Sequence, residues 1–244
     1  MDTAILSRAS VFVASGVFLL VSLLTLPARS TDLEPETGVF AGYGPPEPYD
    51  LMLRRALLED DSYRLCQFAV IPSFEPEWAV YIVESKPGPP TLVSRTLKRQ
   101  MWSSMMTEMA KACSDGSISL DAMSQSIALE KLRSATHTQR VKLDTKMAAQ
   151  LGSACQAALL RVRYPKTRTA GLDGTTYHLG HWIPGAFLSG TTWSPKPGTL
   201  ARDYIDMGAT LKSYAHADPS SRPKIRTRVL AAAARLTRLA RSMK

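Results

Sequence analysis

Residues 175–193, TTYHLGHWIPGAFLSGTTW, decide the fold. Their aromatic and β-branched side chains suit a pleated, half-buried surface. Pro184-Gly185 fits the two central positions of a type II turn, proline fixing φ at the first and glycine allowing a positive φ at the second. The stretch therefore reads as a hairpin, 175–182 paired with 187–193, entered through the turn signal Asp173-Gly174. Gly-Thr-Thr-aromatic occurs twice, at 174–177 and 190–193. Two copies are strand chemistry, not a repeat fold.

Toward the N-terminus, three more extended runs follow the same logic, at 62–71, 78–84 and 91–97. The turns at 72–77 and 86–90 separate them, so they read as a three-stranded meander, with Cys66, Phe68 and Val70 on one face of the first. Between and beyond the strands the apolar spacing changes to a helical period. Residues 98–113 carry Trp102, Met105, Met106, Met109 and Cys113 on one stripe, read as core and not as an adaptable methionine groove. Asp144 is placed to cap a helix carrying Ala148, Leu151, Cys155, Ala158, Leu159 and Val162 and ending at Tyr164-Pro165. Residues 199–215 align Leu200, Tyr204, Gly208, Leu211 and Ala215, and Asp50 is expected to cap a short helix through Glu59. Residues 118–142 show no decisive period: 121–133 is compatible with a helix, and 134–143 is polar and threonine-rich. Hairpins separated by helices predict an α+β fold, an antiparallel sheet packed against helices. A doubly wound α/β fold would need strands and helices to alternate one for one.

The two ends read differently from this body. Residues 11–26 are sixteen residues without a charge, followed by Pro27 and by small residues at Ala28 and Ser30, the two positions a signal peptidase reads. A helix of that length spans about 24 Å, short of the roughly 30 Å hydrocarbon core. Residues 1–30 are therefore expected to be a signal peptide, with an uncleaved membrane anchor as the alternative, and the chain to be exported to the periplasm or secreted. Residues 31–49 hold four prolines, three glycines and four acids and read as a linker. That leaves 50–218 as a single domain and 219–244 as a basic tail.

The net charge of +9 is located almost entirely in that tail. Residues 219–244 carry eight cations and no acid, and the first thirty residues carry one net cation, so residues 31–218 are neutral. A basic nucleic-acid-binding face on the body is not supported on this count, and no nucleic acid is expected as a partner. In the tail, Ile225, Val229, Ala232, Leu236, Leu239 and Met243 form one stripe, flanked or opposed by Arg228, Arg235, Arg238 and Arg241. A basic amphipathic helix of this kind suits an anionic membrane surface or a protein partner with an acidic face. The competing reading is a last helix docked on its own domain with a charged outer side.

Catalytic motifs are mostly missing. The sequence contains no H-E-x-x-H, no G-x-S-x-G, no phosphate-binding G-x-x-x-x-G-K and no G-x-G-x-x-G. The densest polar cluster lies in the hairpin, where Asp173 and His178 would make an oriented acid–base pair and Ser189 or Ser194 the nucleophile of a small hydrolase. His178 and His181 point to opposite faces of a strand, which argues against a shared metal. Three cysteines, Cys66, Cys113 and Cys155, fit either buried thiols or one disulfide with one thiol left over, and none is at C-x-x-C spacing. No cofactor or metal is expected. The sequence reads as an exported binding protein, inhibitor- or immunity-like in size, with the hydrolase as the alternative.

Overall fold

The computed structural model describes residues 30–40, 48–58, 63–84, 87–103, 135–165 and 173–243. The signal-peptide reading, the methionine stripe beyond residue 103, Cys113 and the helix expected at 121–133 lie outside them. In chain order the elements are α1 (Pro48–Leu57), β1 (Arg64–Pro72), β2 (Trp78–Val83), β3 (Thr91–Leu97), β4 (Thr136–Lys142), α2 (Thr145–Leu159), β5 (Thr175–Ile183), β6 (Ala186–Trp193), α3 (Leu200–His216) and α4 (Arg222–Ser242).

The strands form one antiparallel sheet in the order β4-β3-β2-β1-β5-β6. The expected hairpin is β5–β6, closed between Ile183 and Ala186 with Gly185 at φ 81°. The meander β1–β2–β3 is present as read. The polar stretch left without an element is the edge strand β4, paired with β3 from Thr91↔Lys142 to Leu97↔Thr136. An edge strand has only one neighbour and needs little apolar surface, and Val141 is the one fully buried residue of β4.

Both faces of the sheet are covered. On one side Phe68, Val80, Ile82, Leu92 and Leu179 meet α2, α3 and α4. On the other, Ala69, Ala79, Tyr81 and Val93 meet α1, Val39, Phe40 and Met101. This three-layer packing is why the middle of β2 is buried at every position instead of at alternate ones.

Local signals set the helix ends. Asp144 accepts the Met147 N–H at 2.8 Å and Thr199 accepts the Arg202 N–H at 3.2 Å, each capping its helix. The α2 helix stops at Leu159, before the expected Tyr164: Arg161 and Val162 bond back only three residues, to Ala158 and Leu159, and the Arg163 N–H then goes to Leu33. Asp50 falls inside the first turn of α1, which begins at Pro48, so it is not the cap. Trp102 is about half exposed, edge-on to Tyr49, and Met101 takes the buried position instead. Along α3 the expected stripe is buried throughout, and Gly208 is required there. A Cβ at that position would lie 2.5 Å from the Phe68 ring.

Two segments read as extensions belong to the body. Residues 30–40 run beside β6, where Glu34 and Thr191 exchange backbone hydrogen bonds at 2.8 Å, and they bury Leu33, Val39 and Phe40. The tail is α4, with Val229, Ala233, Leu236 and Ala240 buried against α2 and α3. Arg161 donates to the Ala240 carbonyl at 2.7 Å, a cation at the C-terminal end of α4.

A disulfide joins Cys66 on β1 to Cys155 on α2. A β-bulge makes this possible. Leu65 pairs with Ile82 and Phe68 with Val80, so Cys66 and Gln67 together stand opposite Tyr81. Cys66 adopts φ 41° at the bulge, in the left-handed region that non-glycine residues seldom occupy, and its side chain sits within the core on the helical side.

Candidate functional site: the closed histidine, the open groove and the outer face of the last helix

His178 lies on the face of β5 that looks toward residues 36–40 and α1. Its Nδ1 is 2.7 Å from Glu36 Oε1, and both side chains are almost fully buried. The same carboxylate oxygen accepts the Gly38 N–H at 2.8 Å. Gly38 covers the imidazole so closely that a Cβ there would sit 2.6 Å from His178 Cε1, with Asp50 bordering the same spot. The acid expected for this histidine was Asp173, which is exposed at the mouth of β5, whereas the acid the fold supplies is Glu36.

Neither candidate nucleophile is hydrogen-bonded to His178 among the described residues. Ser189 pairs with Gly180, one diagonal step from the pair His178↔Thr191. Among the described residues no hydrogen bond joins it to the imidazole, whose Nδ1 is held by Glu36. Ser194 turns back on its own hairpin and accepts the Thr175 N–H at 3.0 Å. The structure thus brings His178 together with Glu36 and with none of Asp173, Ser189 and Ser194. Glu36 was missed because it lies 142 residues away in a proline- and glycine-rich segment.

His181 points to the helical face, as strand alternation requires. Its Nδ1 accepts the backbone N–H of Cys66 at 3.3 Å, which satisfies a donor that the bulge removes from the ladder. The proton therefore resides on Nε2. Burial pushes this histidine down to about 4, so it is neutral at physiological pH. It lines an open groove of about 830 Å³ between α2 and the ends of β1, β2 and β5. Tyr63, Glu84, Gln156 and Trp182 also line it.

Other buried polar groups serve the framework. Glu77 is fully buried, accepts the Met101 N–H with both carboxylate oxygens and accepts the Tyr49 hydroxyl at 2.6 Å. Burial and this carboxylate together raise the Tyr49 pKa well above its usual value. Asp203, buried on α3, holds Arg235 of α4 through both nitrogens of a guanidinium fork, one of them at 2.8 Å. Arg226 reaches Asp144 at 2.7 Å.

Of the four arginines singled out on α4, Arg235 is therefore engaged with its own domain. Arg228, Arg238 and Arg241 are exposed. At about 100° per residue, Arg238 stands opposite the buried stripe and the other two flank it. Among the described residues no group of three His, Cys, Asp or Glu side chains is placed to hold a metal, and no helix is long and apolar enough to cross a membrane. Comparison with protein-family models, curated proteins and solved structures finds no match to this chain.

Proposed function

We propose that this chain is an exported binding protein that acts without covalent chemistry and meets an acidic protein surface through the outer face of α4. The observation that carries the reading is the closure of His178, the residue most suited to acid–base work. Its imidazole is fastened to Glu36, roofed by Gly38 and, among the described residues, bonded to no hydroxyl. A general base must lie within hydrogen-bond reach of the proton it takes. The Cys66–Cys155 bridge supports export, since such bridges persist in oxidising compartments.

A protein partner is favoured over a lipid surface by the packing of α4. An interfacial helix inserts its apolar face among acyl chains. Here that face is already used against α2 and α3, which leaves the arginines and small residues such as Ala231 and Ala234 on the outside. Charge alone steers association with a complementary surface and is screened by salt.

The test is capture from an envelope fraction by the full protein and by a triple variant, Arg228→Gln, Arg238→Gln and Arg241→Gln. These positions are exposed, so the variant should fold normally. The reading expects a discrete captured protein, lost in the variant and weakened at high salt. Equal capture by both proteins, or binding only to anionic vesicles, contradicts it.

A further inference from the structure

The groove beneath the β5–β6 turn combines three features that neither the fold nor the α4 reading explains. The first is an aromatic row. Phe40, Phe187, Trp182 and Tyr63 follow one another with ring centroids 6.0, 5.1 and 6.1 Å apart. Phe40 is buried, while Trp182 and Tyr63 are each 38% exposed at the groove. Core packing accounts for the inner half of this row. It does not account for two large rings left at the surface, tilted by 37° to one another.

The second feature is a donor on the groove wall. His181 is 3% exposed, and its Nδ1 is committed to Cys66. Its Nε2–H has no partner among the described residues. The imidazole edge lies along Gly152 on α2, where a Cβ would come within 3.6 Å of Cε1. A side chain at Gly152 would narrow the groove on the side where His181 lines it. The Nε2–H is open to the groove, where an incoming carbonyl can accept it in place of water.

The third feature is the remaining lining. Glu84 supplies carboxylate acceptors, Gln156 an amide with both donor and acceptor, and Ser153 a hydroxyl, beside the apolar Leu65 and Ile183. Flat rings with acceptors and amides around them suit a ligand whose faces are apolar C–H and whose rim is hydroxyl. A neutral donor set next to a carboxylate disfavours an anion. The cavity, at about 830 Å³, is within the range of small-ligand sites.

We propose that this groove binds an oligosaccharide carrying acetamido groups. A sugar ring lies on Trp182 and Tyr63, its hydroxyls meet Glu84 and Gln156, and an acetamido carbonyl accepts the Nε2–H of His181. The site is separate from α4 and does not depend on it.

The experiment is a calorimetric and tryptophan-fluorescence titration of the full protein with a tetramer of N-acetylglucosamine, with a tetramer of glucose as the unacetylated control. Saturable binding of the acetylated tetramer is expected, at least tenfold tighter than the control. It should be reduced tenfold or more in Trp182→Ala and in Glu84→Gln, and unchanged in the triple arginine variant. Circular dichroism checks that the variants are folded. Should Trp182→Ala not fold, Tyr63→Ala and Glu84→Gln carry the comparison. No saturable binding at millimolar sugar, equal binding of the two tetramers, or undiminished binding in the folded variants would overturn the proposal.

Discussion

The imidazole of His181 and the backbone amide of Cys66 are joined by a hydrogen bond across 115 residues of chain, at the point where β1 bulges to place its sulfur on Cys155. One side chain thereby satisfies the amide that the bulge leaves over. The bond also requires His181 to be neutral, because a doubly protonated ring has no acceptor nitrogen.

Stability should therefore depend on pH in a defined window. Folding lowers the His181 pKa from 6.5 to about 4, through burial. Between those values the unfolded chain takes up the proton and the native chain does not, so stability is fully present above pH 6.5 and falls as pH drops toward 4. The shift corresponds to at most about 3 kcal/mol. Burial, Lys212 and His137 lower the His216 pKa as well, so its loss has the same sign. Urea titrations at pH 7.5, 6 and 4.5 should show a steeper decline in the wild type than in His181→Gln, whose amide oxygen can accept the same N–H. Parallel declines would remove His181 from the account.

Loss of the disulfide should be costly, because the two cysteines are 89 residues apart. The chain-entropy model gives about 4–5 kcal/mol for a loop of that length. The paired variant Cys66→Ser with Cys155→Ser is expected to melt well below the wild type and to be insensitive to reductant. An unchanged melting temperature would mean that the link between β1 and α2 adds nothing.

Tyr204 offers a test with the opposite sign. Its side chain is fully buried, edge-on to Phe68 at 5.0 Å, and its hydroxyl has no partner among the described residues. Tyr204→Phe removes an unpaired polar atom and keeps the ring, so it should be neutral or stabilise by up to about 1 kcal/mol. A loss of more than about 1 kcal/mol would reveal a partner for the hydroxyl.

What could be read in advance follows the range over which each signal acts. The β5–β6 hairpin was legible because Pro184-Gly185 and its flanking residues act locally. The α3 stripe was legible because Leu200, Tyr204, Gly208, Leu211 and Ala215 all face one core. The β4 strand was not, since an edge strand with a single fully buried residue carries little apolar pattern. The α4 stripe was visible, but its partner was not, because amphipathicity is the same whether the apolar face meets α2 and α3 or a membrane. The site was the least legible part. Glu36 meets His178, and Cys66 meets His181, only after the sheet has assembled, and in each pair the residues lie more than 100 positions apart.

The central claim is that His178 is a structural residue in a protein that works by binding, and His178→Ala tests it most directly. The substitution leaves the buried Glu36 carboxylate without its imidazole, so stability should fall by roughly 1–3 kcal/mol. Capture of the envelope partner by the folded fraction, compared at a temperature well below the melting point, should match the wild type. A variant that is as stable as the wild type yet has lost its biological activity would contradict the account, because it would place His178 in chemistry and not in the fold.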